Sequence, residues 1–357
     1  VLAVVVVVVV HMQSEAARRN SGNGAVFLAW APHSERAKGI SERMGADLFL
    51  MSYKFRNKAY APAKYPALFV KSFLLLKRKK PDMVLCQAPP IFCPLAAIAY
   101  RLLANRRARI IVDMHSGALE RPWTWLKPLN SAVLRRANAV LVSNAGARER
   151  VAKQNGVRPF VLEDRVPDFG PVASDGGGVG VGGGGGARYR GNRNLKIVVP
   201  SSFAYDEPVK EILAAAAELD SDVTFYLTGD SSPVDDRLKE KARNVVFTGF
   251  LGRDEYVRLL QGSDAVMVLT TRDRTLLAGG YEALALQKPL ITSNWEPLKR
   301  YFDKGAIHVD NSAPEIVAAV RALREKKVQL QQEMRQLREE KSRRWEESFA
   351  RLWDSIA

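Results

Sequence analysis

The sequence predicts an α/β protein made of two doubly wound parallel sheets in succession, and three observations predict it. Short apolar runs alternate with amphipathic stretches along most of the 357 residues, the pattern of a parallel sheet wrapped by helices. A Gly- and Pro-rich stretch at 171–193 interrupts the alternation once, and it then restarts. The length suits two ordinary domains, and 47% hydrophobic with 26% charged residues is a globular composition.

The predicted elements follow in order. Strands fall at 25–31, 47–53, 83–89, 109–115 and 139–144, with helices at 35–44, 66–80, 94–106, 123–136 and 145–154. After the break, strands fall at 195–201, 223–229, 245–250, 265–270, 289–293 and 306–310. Helices fall at 207–218, 235–242, 253–260, 280–286, 297–301 and 314–325. The domains are therefore 12–170 and 194–325, joined by a linker at 171–193 and followed by a helical tail at 326–357. In the tail, Trp345, Phe349 and Leu352 stand at i, i+4 and i+7, an apolar stripe on one helix face. Two such sheets imply a cleft, with ligands beyond the carboxyl ends of the strands.

Two segments are set aside. The opening VLAVVVVVVV is too short for a span of about 20 apolar residues, and no cleavage site follows it. His11-Met12 is similar to a cloning scar, so residues 1–11 read as a tag or artefact. The glycine run at 176–186 is a flexible linker or a placeholder.

Charge is uneven. Residues 12–170 hold 27 Lys and Arg against 11 Asp and Glu, the whole excess of +16; residues 171–357 hold 27 of each. One domain thus faces a polyanion, lipid or nucleic acid. FVKSFLLLKRKKP ends in Lys77, Arg78, Lys79 and Lys80, and WTWLKPLNSAVLRR sets Trp123 and Trp125 beside basic residues. Interfacial tryptophans and headgroup-facing cations suit a peripheral membrane protein. The alternative is a core helix with a solvated Lys face. Without a nucleic-acid motif or an aromatic platform on a strand, no nucleic-acid partner is expected. Cys86 and Cys93 fit no common zinc spacing and read as buried thiols.

The segment from Thr270 to Ser293, TTRDRTLLAGGYEALALQKPLITS, carries the most chemistry. Gly279 and Gly280 open a helix with Glu282 in its first turn. Glycines let a phosphate reach the backbone, and helix-start amides and the dipole favour its charge. The Glu282 carboxylate suits two ribose hydroxyls, or else only complements the dipole. Thr271, Arg272 and Arg274 stand just ahead, and guanidinium forks match a diphosphate. No Asp-x-Asp stands at a strand end, so catalysis is expected to need no metal or other cofactor. Asp113 and His115 end a central strand. His115 suits a sugar hydroxyl or a proton transfer; Asp113 orients it, acts as base, or caps the next turn. His33 and Ser34 meet an acceptor, or Ser34 is an ordinary N-cap with His33 exposed.

EALALQKPLITS resembles the donor-site segment of GT-B glycosyltransferases of the group 1, family-4-like type. CQAPPIFCPLAAIA, IIVDMHSG and SSFAYDEPVKEIL are similar, in order, to motifs of the chitobiosyldiphosphodolichol β-mannosyltransferases. The resemblance implies two Rossmann-like domains facing a cleft, with the last helix crossing back to the first domain. It implies that Glu282 holds a nucleotide ribose, that His115 touches the donor sugar and that Gly249 and Phe250 lie by the base. Arg274 stands where retaining members place a first glutamate, and Ser201-Ser202-Phe203-Ala204 replaces the cationic phosphate ligands of relatives. The implied activity is sugar transfer from a nucleotide-sugar donor to a polyprenyl-linked or polysaccharide acceptor, by a cytoplasmic protein peripheral at the inner membrane face. A nucleotide-sugar epimerase and a non-catalytic nucleotide-binding scaffold are the alternatives.

Overall fold

The computed structural model describes residues 8–13, 24–53, 61–170, 194–219, 221–273 and 275–356. The expected linker and Arg274 lie outside them. The chain divides into two compact units, Val1–Arg165 with Arg344–Ala357, and Val166–Arg343.

The first unit runs β1 (Val8–Gln13), β2 (Ala25–Ala29), α1 (Glu35–Met44), β3 (Asp47–Tyr53), α2 (Ala61–Lys79), β4 (Met83–Ala88), α3 (Phe92–Leu103), β5 (Arg109–Met114), α4 (Lys127–Leu134), β6 (Ala139–Val142), α5 (Ala145–Asn155) and β7 (Phe160–Val161). Its sheet has the order β1-β3-β2-β4-β5-β6-β7, parallel except that β1 pairs antiparallel with β3. Successive strand residues feed opposite faces, as the pleat requires. Ile110 and Val112 join one apolar cluster, and Ile111 between them joins the other. Both faces are covered, which explains why β4 and β5 read as unbroken apolar runs.

Several elements differ from the sequence reading. Residues 8–11, set apart there from the fold, belong to the edge strand β1; a valine run has high strand propensity. Helix α2 begins at Ala61 and keeps Pro66 inside, in its second turn, where the ring removes one donor from the hydrogen-bond ladder. The helix expected at 123–136 is a 3₁₀ turn, Trp123–Leu126, followed by α4 with Pro128 in its first turn.

The second unit runs β8 (Leu195–Val199), α6 (Val209–Glu218), β9 (Val223–Thr228), α7 (Asp236–Lys241), β10 (Val245–Gly249), α8 (Arg253–Gln261), β11 (Ala265–Val268), α9 (Ala278–Ala285), β12 (Leu290–Ser293), α10 (Glu296–Tyr301), β13 (Ala306–Val309) and α11 (Ala313–Ile356). The sheet order is β10-β9-β8-β11-β12-β13, all parallel. The order reverses between β8 and β11, the place where open α/β sheets bind ligands. Helix α11 runs unbroken for 44 residues, with no Gly or Pro after Pro314 to end it. Its last turns belong to the first unit. There Trp345, Phe349 and Leu352 are 3, 4 and 2% exposed among Ile40, Leu48 and Leu162, and the Trp345 indole donates to the Glu163 carbonyl at 3.0 Å.

Candidate active site

All strands of the second sheet are parallel, so the segments after β8, β9, β10 and β11 gather at one edge. After β8, four donors converge on the Glu207 carboxylate: the hydroxyls of Ser201 and Ser202 and the backbone amides of Ser202 and Phe203. Phe203 is left-handed, at φ 54°. Next door, Gly229 has φ 95°, and a Cβ there would stand 2.2 Å from the Ser201 carbonyl oxygen, so only glycine fits. A cavity of about 60 Å³ at this switch point is lined by Pro200, Ser201, Asp206, Glu207 and Leu277 among others.

Asp206 ties the β8 and β11 loops together. Its carboxylate accepts from the Thr270 hydroxyl at 3.1 Å and lies 3.3 Å from Arg272 Nε; its carbonyl accepts from the Thr271 amide at 2.8 Å. Arg272 also donates to the Tyr205 hydroxyl at 2.6 Å, and its guanidinium lies over that ring at 5.0 Å. The Tyr205 bond and the Asp206 charge hold Arg272 protonated. Half of its side chain stays exposed, within reach of an anion. Beyond β11, the Thr270 carbonyl accepts from the Trp295 indole at 2.8 Å and the Asn311 amide at 3.0 Å, which locks three strand ends.

Glu282 lies on α9, fifth from its start rather than in the first turn, because the helix opens at Ala278. Its carboxylate accepts a hydrogen bond from Tyr256 on α8. Burial, and then the Glu282 charge and bond, push the Tyr256 hydroxyl far above its usual range, so it stays a neutral donor. Gly279 and Gly280 have a packing role that the sequence did not announce. Both are buried, and a Cβ would stand 2.6 Å from Val268 Cγ2 at Gly279 and 2.7 Å from Phe302 Cζ at Gly280. The pair lets α9 seat on β11 and on Phe302. Gly249 ends β10 at φ 68° with its carbonyl accepting the Gly229 amide at 2.9 Å, and Phe250 beside it is 85% exposed.

The carboxyl edge of the first sheet is built differently. Asp113 is fully buried, and both its oxygens accept from Arg36 Nε, at 2.9 and 3.0 Å. Arg36 also binds the Leu162 carbonyl at 2.8 Å and Asp164 at 2.7 Å, while Gln87 donates to Asp113 at 3.3 Å. Burial opposes the Arg36 charge, but Asp113 and Asp164 outweigh it and keep the guanidinium protonated. An oxygen with no exposed surface cannot meet an acceptor hydroxyl, so the base role expected of Asp113 has no geometry here. Its carboxylate joins β5 to β4 and α1 instead, and Arg36 carries the link on to Leu162 after β7. His115, two residues on, is exposed, with its backbone amide on the Ala88 carbonyl at 2.8 Å.

Ser34 is the N-cap of α1, accepting from the Ala37 amide at 3.2 Å, and His33 is exposed, 2.9 Å from Glu35. Trp30, Tyr65, Phe92 and Trp123 cluster at this edge with ring centroids 5.3 to 6.4 Å apart. Arg121 lies 5.9 Å over Trp125, which is 70% exposed. Lys77, Arg78, Lys79 and Lys80 end α2 just before β4, at the opposite, amino edge. Lys79 is already paired, 2.9 Å from Asp47. Cys86 and Cys93 are free, buried thiols whose pKa values burial raises. Among the described residues no helix is long and apolar enough to cross a membrane.

Sequence reasoning missed Arg36, Tyr256, Asp206 and Glu207. The last two stand in SSFAYDEPVKEIL, a segment it singled out without assigning them roles. Arg36 and Tyr256 carried no local signal, because their partners are distant in sequence.

Comparison with known proteins gives the same division. Residues 3–162 match the family model described as glycosyl transferase 4-like domain, and residues 195–326 match glycosyl transferases group 1. No curated protein sequence matches. Among solved structures, HepE from Anabaena in complex with UDP has TM-score 0.65 at 12% identity, covering 93% of this chain and 100% of that one. Sucrose-phosphate synthase from Thermosynechococcus elongatus has TM-score 0.61 at 14% identity, covering 93% and 89%. A putative UDP-N-acetylglucosamine 2-epimerase from Listeria monocytogenes has TM-score 0.57 at 10% identity, covering 87% and 90%. At such identities the likeness is one of fold, the GT-B fold. The two family matches fall one in each unit, and the chain is a glycosyltransferase with a glycosyl transferase 4-like domain followed by a group 1 glycosyl transferase domain.

Proposed function

We propose that this glycosyltransferase moves a sugar from a UDP- or GDP-sugar to a lipid-linked or polysaccharide acceptor at the cytoplasmic face of a membrane. The observation that carries the donor half is Glu282, fixed by the neutral Tyr256 hydroxyl on the helix after the switch-point strand. A carboxylate held there can accept from both hydroxyls of a ribose. Arg272 neutralises charge on the leaving diphosphate, and the N-terminal amides of α9 add to it, without a metal. Phe250 offers an exposed ring beside the base. His115 contacts the sugar or takes the acceptor proton. HepE was solved with UDP, which supports a UDP-linked donor. The motif similarity to β-mannosyltransferases makes GDP-mannose the second donor to test.

The test is product analysis over a panel of UDP- and GDP-sugars with polyprenyl-diphosphate and oligosaccharide acceptors, with and without chelator. Transfer, or slow donor hydrolysis, undiminished by chelator supports the reading. Epimer formation without transfer favours an epimerase, for which the fold likeness to the Listeria protein speaks. Nucleotide binding without turnover favours a scaffold.

A further inference from the structure

Helix α2 buries one stripe and exposes another. Leu68, Ser72 and Leu76 recur every four residues at 1, 0 and 0% exposure, facing the sheet. On the outward face stand Val70, Lys71, Leu74, Lys77 and Arg78, all exposed, the neighbours that three- and four-residue spacing makes on a helix. Val70 and Leu74 keep 53 and 56% of their surface. Residues 61–80 contain no Asp or Glu. Among the described residues, Lys71, Lys77 and Arg78 take part in no ion pair. A helix face solvated only by water is ordinarily polar throughout. This one carries large apolar side chains between cations and no anion at all.

The ends of α2 sharpen the picture. Tyr65, in its second turn, packs edge-on against Trp123 at 5.9 Å, beside the exposed Trp125. The other end runs into Lys77, Arg78 and Lys80. The two segments that the sequence offers for a membrane therefore lie at opposite edges of the sheet, and α2 runs from one edge to the other.

We propose that this face is an interfacial helix that seats the first unit lengthwise on an anionic lipid surface. Val70 and Leu74 reach the acyl boundary, and Lys71, Lys77 and Arg78 lie among the headgroups. The proposal deepens the membrane part of the function above and rests on it only for its purpose, since a lipid-linked acceptor is met at that surface. A nucleic acid or an acidic protein would use the cations but gain little from the two aliphatic side chains.

The experiment is co-sedimentation of the full chain with phosphatidylcholine vesicles, with and without phosphatidylglycerol, at low and high salt. Wild type is expected to pellet with the anionic vesicles at low salt and to be released by high salt. Lys77→Gln with Arg78→Gln is expected to lower the partition coefficient on the order of tenfold or more. Val70→Asp with Leu74→Asp is expected to lower it similarly, with Val70→Ser and Leu74→Ser reading the same direction should the Asp pair fold poorly. Val328→Asp, at a 68% exposed position of α11 in the other unit, leaves it unchanged. No preference of wild type for anionic vesicles overturns the proposal. So does loss with the Gln pair alone while both apolar pairs bind as wild type, which reduces the face to a cationic patch that adsorbs without seating a helix. Vesicle binding is read without a donor, so failure of every nucleotide sugar in the activity panel sinks the transfer reading and leaves this result standing.

Discussion

The two sheets present their carboxyl edges with the same strand–helix alternation and close them with opposite chemistry. In the first unit a buried guanidinium, Arg36, takes up both Asp113 and Asp164. In the second unit the edge is tied by its loops: Ser201 and Ser202 donate to Glu207, Asp206 holds Thr270 and the half-exposed Arg272, and Glu282 accepts from the Tyr256 hydroxyl on a neighbouring helix. The first edge is a structural fastening with histidines and aromatic rings around it. The second is a set of polar groups that a ligand can still reach. One fold thus closes its two carboxyl edges in different ways, and the contrast comes from the side chains placed there rather than from the strand–helix framework.

The sharpest way to break that contrast is to remove one half of the buried pair. Arg36→Ala or Asp113→Ala leaves a charge without its partner and is expected to cost about 3–5 kcal/mol in urea unfolding. A folded Asp113→Ala that loses turnover with undiminished stability would return Asp113 to catalysis. His115→Ala tests the same edge from its exposed side. It is expected to lower kcat by about a hundredfold while leaving the unfolding midpoint unchanged; near-normal kcat removes His115 from the chemistry.

In the second unit the pattern is expected to invert. Glu282→Ala should weaken nucleotide binding by roughly 1–3 kcal/mol in calorimetry, with little change in stability. Tyr256→Phe should act in the same direction and less, because it frees the carboxylate without deleting it. Gly280→Ala serves as the contrast within the same helix: crowding against Phe302 should lower stability by about 1–3 kcal/mol. A Gly280→Ala protein that keeps its stability and loses nucleotide affinity would assign the glycine pair to the ligand rather than to packing.

The smallest effect is a pH dependence confined to the second unit. Burial lowers the pKa of His308 on β13, with the Lys299 charge adding to it, and its Nε2 has no hydrogen-bond partner. The unfolded chain therefore takes up a proton at higher pH than the folded one. The contribution of His308 to stability is complete above the unfolded pKa of about 6.5 and declines as pH falls through it toward the lower folded value. His308→Gln should flatten that slope in unfolding measured between neutral and mildly acid pH; an unchanged slope assigns it to other groups.

The sequence by itself determined much about this protein. Strands of a parallel sheet are covered on both faces, so β4, β5, β8 and β11 announced themselves as apolar runs, and capped helices such as α1 and α5 fell between them. The stripe of Trp345, Phe349 and Leu352 was legible because helix periodicity is local. So was Glu282 as a carboxylate near the start of a helix. What tertiary structure alone decided involves partners far apart in the chain. Arg36 reaches Asp113 across 77 residues and Tyr256 reaches Glu282 across 26, and no window of sequence holds both ends of either pair. The glycines of α9 look the same on paper whether they admit a phosphate or a neighbouring side chain, until Val268 and Phe302 are set against them. The cations of α2 likewise became a surface only once the buried stripe of Leu68, Ser72 and Leu76 fixed which side of the helix faces out. Periodicity fixes which residues share a face, because it is a property of neighbours. What that face meets is set by packing between distant segments, and that is where this protein's chemistry was decided.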